Sequence, residues 1–393
     1  MNVIDRPNDL VSHAELTEEQ RAIVEVASAF AADEIAPHAR RWEDEGTMPR
    51  ELWRAAGELG LAALFVSPER GGTGLSRHDG TLVFEAIARA CPSVAAFLSI
   101  HNMCAWMIDR YGSVELRDAW LEPACRGEKI ISYCLTEPGS GSDAAALRTR
   151  AERSNSGWAL SGTKAFISGG GYSDAYIVMC RTGDDSPRGI SAILIEDGAP
   201  GLTFGKPEEK MGWRAQPTAE VQMDGVHAPA THLLGDEGRG FTYAMAGLDG
   251  GRLNIAACAL GGAAAALDKS LAYMRDRRAF GQRLDEFQAL QFRLADMETE
   301  LEAARALLSR AAHKLDAGTA DATRTCAMAK RFVTDTAFRV ANDALQLHGG
   351  YGYLADYGVE KIVRDLRVHQ ILEGTNEVMR VIIARSLIAE ERG

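Results

Sequence analysis

Runs of positive charge are missing from this chain. Nowhere do five or six basic residues follow one another, and 43 Lys and Arg against 55 Asp and Glu leave a net charge of −12. Such a surface repels a phosphate backbone, so no nucleic-acid partner is expected. Long apolar runs are missing as well. The longest, Ile255–Leu267, has 13 residues, mostly Ala and Gly, whereas a bilayer span needs about 20, so no integral membrane association is expected. The seven cysteines, Cys91, Cys104, Cys125, Cys134, Cys180, Cys258 and Cys326, never form Cys-x-x-Cys or fall in register with a His pair. That argues for free thiols rather than a disulfide scaffold, and against a metal site. The opening MNVIDRPNDLVSHAELTEEQ has neither the apolar core of a secretory signal nor the Arg-rich, acid-poor character of a transit peptide. A bacterial cytoplasmic location is expected.

What is present is ordinary globular material. With 393 residues, 46% hydrophobic and 25% charged, the chain has length for two or three domains and too much apolar content for extensive disorder. Thr17 and Gln20 have capping-box spacing ahead of Ile23, Val24, Ala27 and Phe30, which predicts a helix from Thr17. Helical pattern continues to about Gly127, broken by the glycine-rich loop Pro68–Gly74. Gly-Lys-Ser/Thr does not follow this loop, which excludes a P-loop. From about Lys129 to Asp236 the texture changes to short β-branched or alternating runs: Ile130–Leu135, Gly157–Thr163, Ala175–Arg181 and Ile190–Ile195. After Gly240 long helices return. Leu290, Leu294, Met297, Leu301, Ala304 and Leu308 mark a bundle seam. The expected class is α+β and multidomain: a helical domain over 1–128, a β-domain over 129–237 and a helical bundle over 238–393.

Two glycine-rich segments stand out. Tyr133-Cys-Leu-Thr-Glu-Pro-Gly-Ser-Gly-Ser-Asp143 leaves a predicted strand and is rich in free N–H and hydroxyl groups, a cradle for an anion or a polar ring. No Gly-x-Gly-x-x-Gly opening a helix accompanies it, which argues against a Rossmann site. Gln346-Leu-His-Gly-Gly-Tyr-Gly-Tyr353 ends the helical run from about Thr323, where glycine permits a helix exit or close approach to a ligand.

Together these segments resemble the paired signatures of the acyl-CoA dehydrogenase family of flavoproteins. The first matches at Cys134-Leu-Thr-Glu137 and Gly141-Ser-Asp143. The second matches at Gln346, Gly349, Gly350, Gly352, Asp356, Lys361 and Asp365. Leu372-Glu-Gly-Thr-Asn-Glu377 resembles the family's catalytic Glu-Gly-Thr turn, and the likeness spans about Thr17 to Ala389. Several stretches, among them Lys164–Gly169, Gly212-Trp213, Gly247–Arg252 and Arg367–Arg380, are similar to the branch of the family that acts on isobutyryl-CoA.

The resemblance implies the family fold, with an N-terminal all-α domain, a middle β-domain and a C-terminal four-helix bundle. It also implies FAD-dependent α,β-dehydrogenation of a short branched acyl-CoA, with electrons passed to electron-transferring flavoprotein, and a homotetramer. Such chemistry needs a base for the α-proton and a hydride acceptor, which side chains do not supply and FAD does. Glu373 matches the base. A second family position for it, just before Arg252, is here Gly251, which has no basic group. For the flavin the resemblance carries over Tyr133, Leu135, Thr136, Gly141, Ser142, Phe166, Ile167 and Ser168, with Phe where many members have Trp at 166. Arg277, Phe280, Gln288, Gln346, Leu347, His348, Gly349 and Gly350 match positions that hold a neighbouring subunit's FAD. Thr375, Asn376 and Glu377 complete the FAD site, Glu377 standing where many relatives have Gln. Substrate positions carried over are Ser142, Asp249, Gly250, Gly251, Arg252 and Arg385. The glycine pair 250 and 251 is expected to leave width for an α-methyl group. Other readings are a different short or 2-methyl-branched acyl-CoA, a flavin oxidase, or an inactive flavin-fold binding module.

Overall fold

The computed structural model describes residues 16–391; the N-terminal stretch read above for targeting signals lies largely outside them. Eleven α-helices occur among these residues. Six precede the sheet: α1 (Glu18–Phe30), α2 (Ala39–Glu45), α3 (Glu51–Glu58), α4 (Arg77–Ala88), α5 (Pro92–Tyr111) and α6 (Val114–Cys125). The Thr17 capping box forms as expected. Thr17 Oγ1 accepts from Gln20 N, and the Gln20 side chain accepts from Thr17 N. Almost all of α5 is buried, because it lies between the sheet and the C-terminal helices.

The sheet has eight strands: β1 (Ile131–Cys134), β2 (Arg150–Ser154), β3 (Gly157–Ser168), β4 (Ala175–Arg181), β5 (Ile190–Glu196), β6 (Leu202–Phe204), β7 (Thr218–Pro229) and β8 (Leu233–Leu234). Their order is β6-β7-β3-β2-β4-β5-β8, with β1 parallel to β4 at the side. The sequence reading found β1, β3, β4 and β5 but missed β2, β6, β7 and β8. In β7 the inward set Ala219, Val221 and Met223 does alternate with Glu220, Gln222 and Asp224, but Asp224-Gly225 reads locally as a turn. Pairing with β3 along its whole length overrides that local signal.

The C-terminal part comprises α7 (Gly240–Asp276), α8 (Gln288–Asp316), α9 (Ala322–Leu347), α10 (Val359–Arg367) and α11 (Asn376–Glu390). In α8 the predicted seam is buried at Met297, Leu301, Ala304 and Leu308 and half-buried at Leu290 and Leu294. Helix α7 spans 37 residues and by length and composition suffices to cross a membrane, although 72% of its most apolar window is buried inside the fold. Counting only unbroken apolar residues had hidden that length. Its small residues serve close packing. A Cβ on Gly261 would stand 2.1 Å from the Glu85 carbonyl oxygen of α4, so only glycine lets the two helices approach so closely.

Candidate active site

The Glu373 turn is built by three elements. Thr375 caps α11, its Oγ1 accepting from Val378 N at 3.2 Å. Just ahead of the cap, Glu373 and Gly374 take left-handed φ values of +56° and +86°. For a residue with a Cβ that conformation carries strain, and such strain persists only where the surroundings impose it. From α7, Arg252 Nε donates to the Glu373 carbonyl at 3.4 Å and Arg252 Nη1 pairs with Asp249 at 2.6 Å. From α9, the Lys330 Nζ donates to the Gly374 carbonyl at 2.8 Å.

The carboxyl carried by this turn has few partners. Glu373 Oε2 is buried with no hydrogen bond, and the Glu373 N–H finds no acceptor among the described residues. Burial pushes the carboxyl up to about 7, against the opposing pull of Arg252 and Lys330. A carboxylate so placed is a proton acceptor tuned to neutral pH, with a free donor beside it for an oxygen that gains charge.

Gly251 faces this carboxyl. A Cβ there would lie 2.7 Å from Glu373 Oε2, and one on Gly250 would lie 2.5 Å from Arg77 Nη1. The width expected beside the two glycines is therefore filled, by the glutamate at Gly251 and by a guanidinium at Gly250. Arg77 sits 4.0 Å from the ring centre of Phe65 and 4.8 Å from that of Trp106, and its Nη1 has no hydrogen-bond partner.

The cradle lies at the end of β1. Glu137 and Ser140 exchange backbone hydrogen bonds of 3.0 and 3.1 Å, closing a turn. Inside it the Glu137 carboxylate accepts from Lys164 Nζ at 2.8 Å, Arg148 N at 2.7 Å and Thr149 N at 2.9 Å. Burial alone would raise this carboxyl, but the ammonium and the N–H donors outweigh it and hold it below the usual range. Beyond this clamp Gly141 and Ser142 are exposed, with nothing within 4 Å of where a Gly141 Cβ would stand. Leu135 is buried and Thr136 half-buried, while the Tyr133 hydroxyl is buried without a partner. Across from them β3 bulges between Lys164 and Ile167, and Phe166, at φ +59°, turns outward with 68% of its surface exposed. Ile167 is buried and Ser168 Oγ accepts from Gln216 at 3.0 Å.

The remaining positions gather elsewhere. Arg277, Gln346, Leu347, His348, Gly349 and Gly350 line one cavity of about 680 Å³ at the far end of α7. Arg252 and Arg277 are 25 residues apart on or next to this helix, about 37 Å at 1.5 Å per residue. One dinucleotide does not reach both groups. Phe280 tops a hairpin whose Phe280 and Gly281 both have positive φ, and it is 97% exposed; Gln288, the first residue of α8, is exposed too. Three assigned positions do not converge on the carboxyl. The Asn376 amide is spent in a buried network with Lys330, Thr334 and Asp335, Glu377 is exposed and pairs with Arg380 at 3.4 Å, and Arg385 is exposed on α11.

Two stretches singled out from sequence, Gly212-Trp213 and the signature that ends at Asp365, are joined by hydrogen bonds near the site. Asp365 accepts from Trp213 N at 2.6 Å, and Trp213 Nε1 donates to His369 Nε2 at 3.2 Å, tying the Gly212-Trp213 loop to the segment that precedes Glu373. Lys330 was missed although it lies in register with Cys326, Val333 and Ala337, a lysine on an otherwise apolar helix face.

Family models for the acyl-CoA dehydrogenase N-terminal, middle and C-terminal domains match residues 17–128, 132–226 and 238–388. The chain is 52% identical over 375 residues to the mitochondrial isobutyryl-CoA dehydrogenase of Bos taurus, covering 95% of this chain and 90% of that protein. It is 49% identical over 377 residues to the Dictyostelium discoideum enzyme of the same name, covering 96% and 91%. Among solved structures, a chain from work on the electron transferring flavoprotein of Acidaminococcus fermentans superimposes with TM-score 0.92 at 39% identity, covering 95% of this chain and 98% of that one. PigA with FAD and proline gives 0.91 at 31% identity, covering 96% and 99%.

Proposed function

The chain belongs to the acyl-CoA dehydrogenase family, FAD-dependent oxidoreductases acting on CH–CH bonds, and from that premise we propose that it converts isobutyryl-CoA to methacrylyl-CoA in valine breakdown and passes the electrons to electron-transferring flavoprotein. The observation that carries the substrate is the identity of 52% and 49% to two isobutyryl-CoA dehydrogenases over nearly the whole chain.

The residues fit the cofactor. An open backbone cradle at Gly141, an orphaned Tyr133 hydroxyl and an outward Phe166 ring are what a planar, polar-edged ring would cover. When bound, FAD supplies the hydride acceptor. The protein's own part is then to position the thioester and move a proton. Glu373 takes the α-proton at its free Oε2. The Glu373 N–H is placed to donate to the thioester oxygen as enolate charge develops there, an interaction that strengthens toward the transition state. Arg252 orients the turn through the Glu373 carbonyl. An inactive binding module has no use for a buried, unpartnered carboxyl held near neutrality.

The cavity at the far end of α7, with Arg277 and Gln346–Gly350, supports a homotetramer in which this cluster serves the FAD of a neighbouring copy; the guanidinium suits a pyrophosphate. Sedimentation of the active protein as a monomer would count against it.

The test of the substrate is anaerobic flavin reduction by isobutyryl-CoA, n-butyryl-CoA and 2-methylbutyryl-CoA. A pocket distinguishes one methylene by about 1 to 3 kcal/mol, so kcat/KM should favour isobutyryl-CoA about tens-fold. Equal or better use of n-butyryl-CoA overturns the branched-chain reading. Reoxidation by carrier flavoprotein rather than air tests the acceptor.

A further inference from the structure

One buried ionisable group beside the base has no place in the chemistry above. Lys330 is fully buried on α9, and burial pulls its ammonium down to about 7, with the Glu373 carboxylate the strongest influence holding the proton on. Its Nζ donates to the Gly374 carbonyl at 2.8 Å and to Asn376 Oδ1 at 3.0 Å, the residues on either side of the α11 cap Thr375. A neutral amide could make such contacts without the desolvation cost of an ammonium, so what lysine adds is charge. That charge is aimed at the backbone one residue past the base and not at the carboxyl, which leaves Glu373 Oε2 free. It acts on the anion through space while forming no hydrogen bond that the substrate's proton would have to displace.

We propose that Lys330 is a positioning residue for the dehydrogenation: its ammonium clips the Glu373-Gly374 turn to α9 and, together with Arg252, supplies the field that keeps the buried Glu373 carboxyl available as a base. Other titratable groups face this pair, among them, from the segment ahead of Glu373, the buried His369 imidazole, which burial pulls down to about 4. Arg252 and its partner Asp249 come from α7, Asp335 from α9, Glu377 from α11, Tyr133 from β1 and Cys104 from α5. Of these, only Arg252 joins Lys330 in favouring the Glu373 anion, and Arg252 already holds Asp249. Removing the lysine charge leaves the base with one committed cation.

The inference rests on Glu373 being the base, and Glu373→Gln examines that separately: if this variant still reduces its flavin at the wild-type rate, the base assignment falls. For Lys330 the variant is Lys330→Gln, which retains a donor for Gly374 and removes the charge. Two readouts are compared in the holoenzyme. One is the infrared band of the protonated Glu373 carboxyl followed against pH, assigned by its loss in Glu373→Gln. The other is the acidic limb of the flavin-reduction rate with isobutyryl-CoA. Both should move upward by about one pH unit, with KM nearly unchanged, and Lys330→Met should give the same shift plus a further loss of rate at every pH from the missing clip. A folded Lys330→Gln whose carboxyl titrates as in the wild type, with rate lost equally at all pH values, overturns the proposal. So does failure of Lys330→Gln to fold, since the charge would then serve the fold and not the base.

Discussion

Two glutamates in this protein, Glu137 buried and Glu373 half-buried with its Oε2 shut away from solvent, each lie close to a buried lysine, yet their carboxyl pKa values move in opposite directions. Glu137 meets the Lys164 ammonium directly and accepts two backbone N–H groups besides, so its carboxylate is held ionised and inert. Glu373 has Lys330 nearby, but that ammonium is spent on Gly374 and Asn376, and one carboxyl oxygen is left without any partner. Its pKa is pushed up to about 7 by burial. Burial is common to both. What separates a clamp from a base is whether the cation and the N–H donors point at the carboxylate or past it.

The largest test of this contrast is exchange of each acid for its amide. Glu373→Gln should keep FAD and ligand binding and lower the rate of flavin reduction by at least about 10²- to 10⁴-fold, the usual worth of a general base. Stopped-flow mixing with isobutyryl-CoA measures it, and near-normal reduction would move the base elsewhere, with the neighbouring Glu377 the first suspect. The same exchange at Glu137 should leave the chemical step in place.

Next in size is removal of the clamp's cation. Lys164→Met strands the Glu137 charge in the interior, and breaking a buried pair on one side typically costs about 3 to 5 kcal/mol. Urea unfolding should show a loss of that order. A variant as stable as the wild type would mean that the N–H donors alone suffice.

A third effect concerns stability and pH. Glu373 titrates near 7 when folded, against an ordinary value of 4.5. Between those values the folded protein keeps a proton that the unfolded chain has released, so this group lowers stability as pH rises through the window, and the full penalty stands above pH 7. Glu373→Gln should therefore be more stable than the wild type at pH 8, by about 3 kcal/mol, with little gain at pH 4. Denaturation at the two pH values measures it; a gain independent of pH would point to relief of packing instead.

The smallest effect is at the cap. Thr375→Ala removes the bond to Val378 N and should cost about 1 kcal/mol of stability, seen as a lowered Tm, while Thr375→Ser keeps most of it.

Much of this was legible along the chain because it is written in local pattern. The Thr17 cap, the α8 seam, the run from Thr323 that becomes α9, and the switch to strands near Lys129 all depend on neighbours within a few turns. Strand β7 was not legible, since its partner β3 lies some sixty residues away and its Asp224-Gly225 mimics a turn. The expected room beside Gly250 and Gly251 failed for a similar reason: nothing in the pair itself says that Arg77 and Glu373 arrive there from distant segments.

By itself, then, the sequence determined the α, β, α plan, the family and the identity of the acid at 373, because periodicity and short spaced motifs are properties of contiguous residues. Only the tertiary structure decided what each acid does. Glu137 became a clamp because Lys164 and two loop N–H groups converge on it, and Glu373 became a tuned carboxyl because Lys330, Arg252 and Gly251 surround it without bonding its free oxygen. Desolvation and Coulomb fields act across space, over distances that the order of residues does not record.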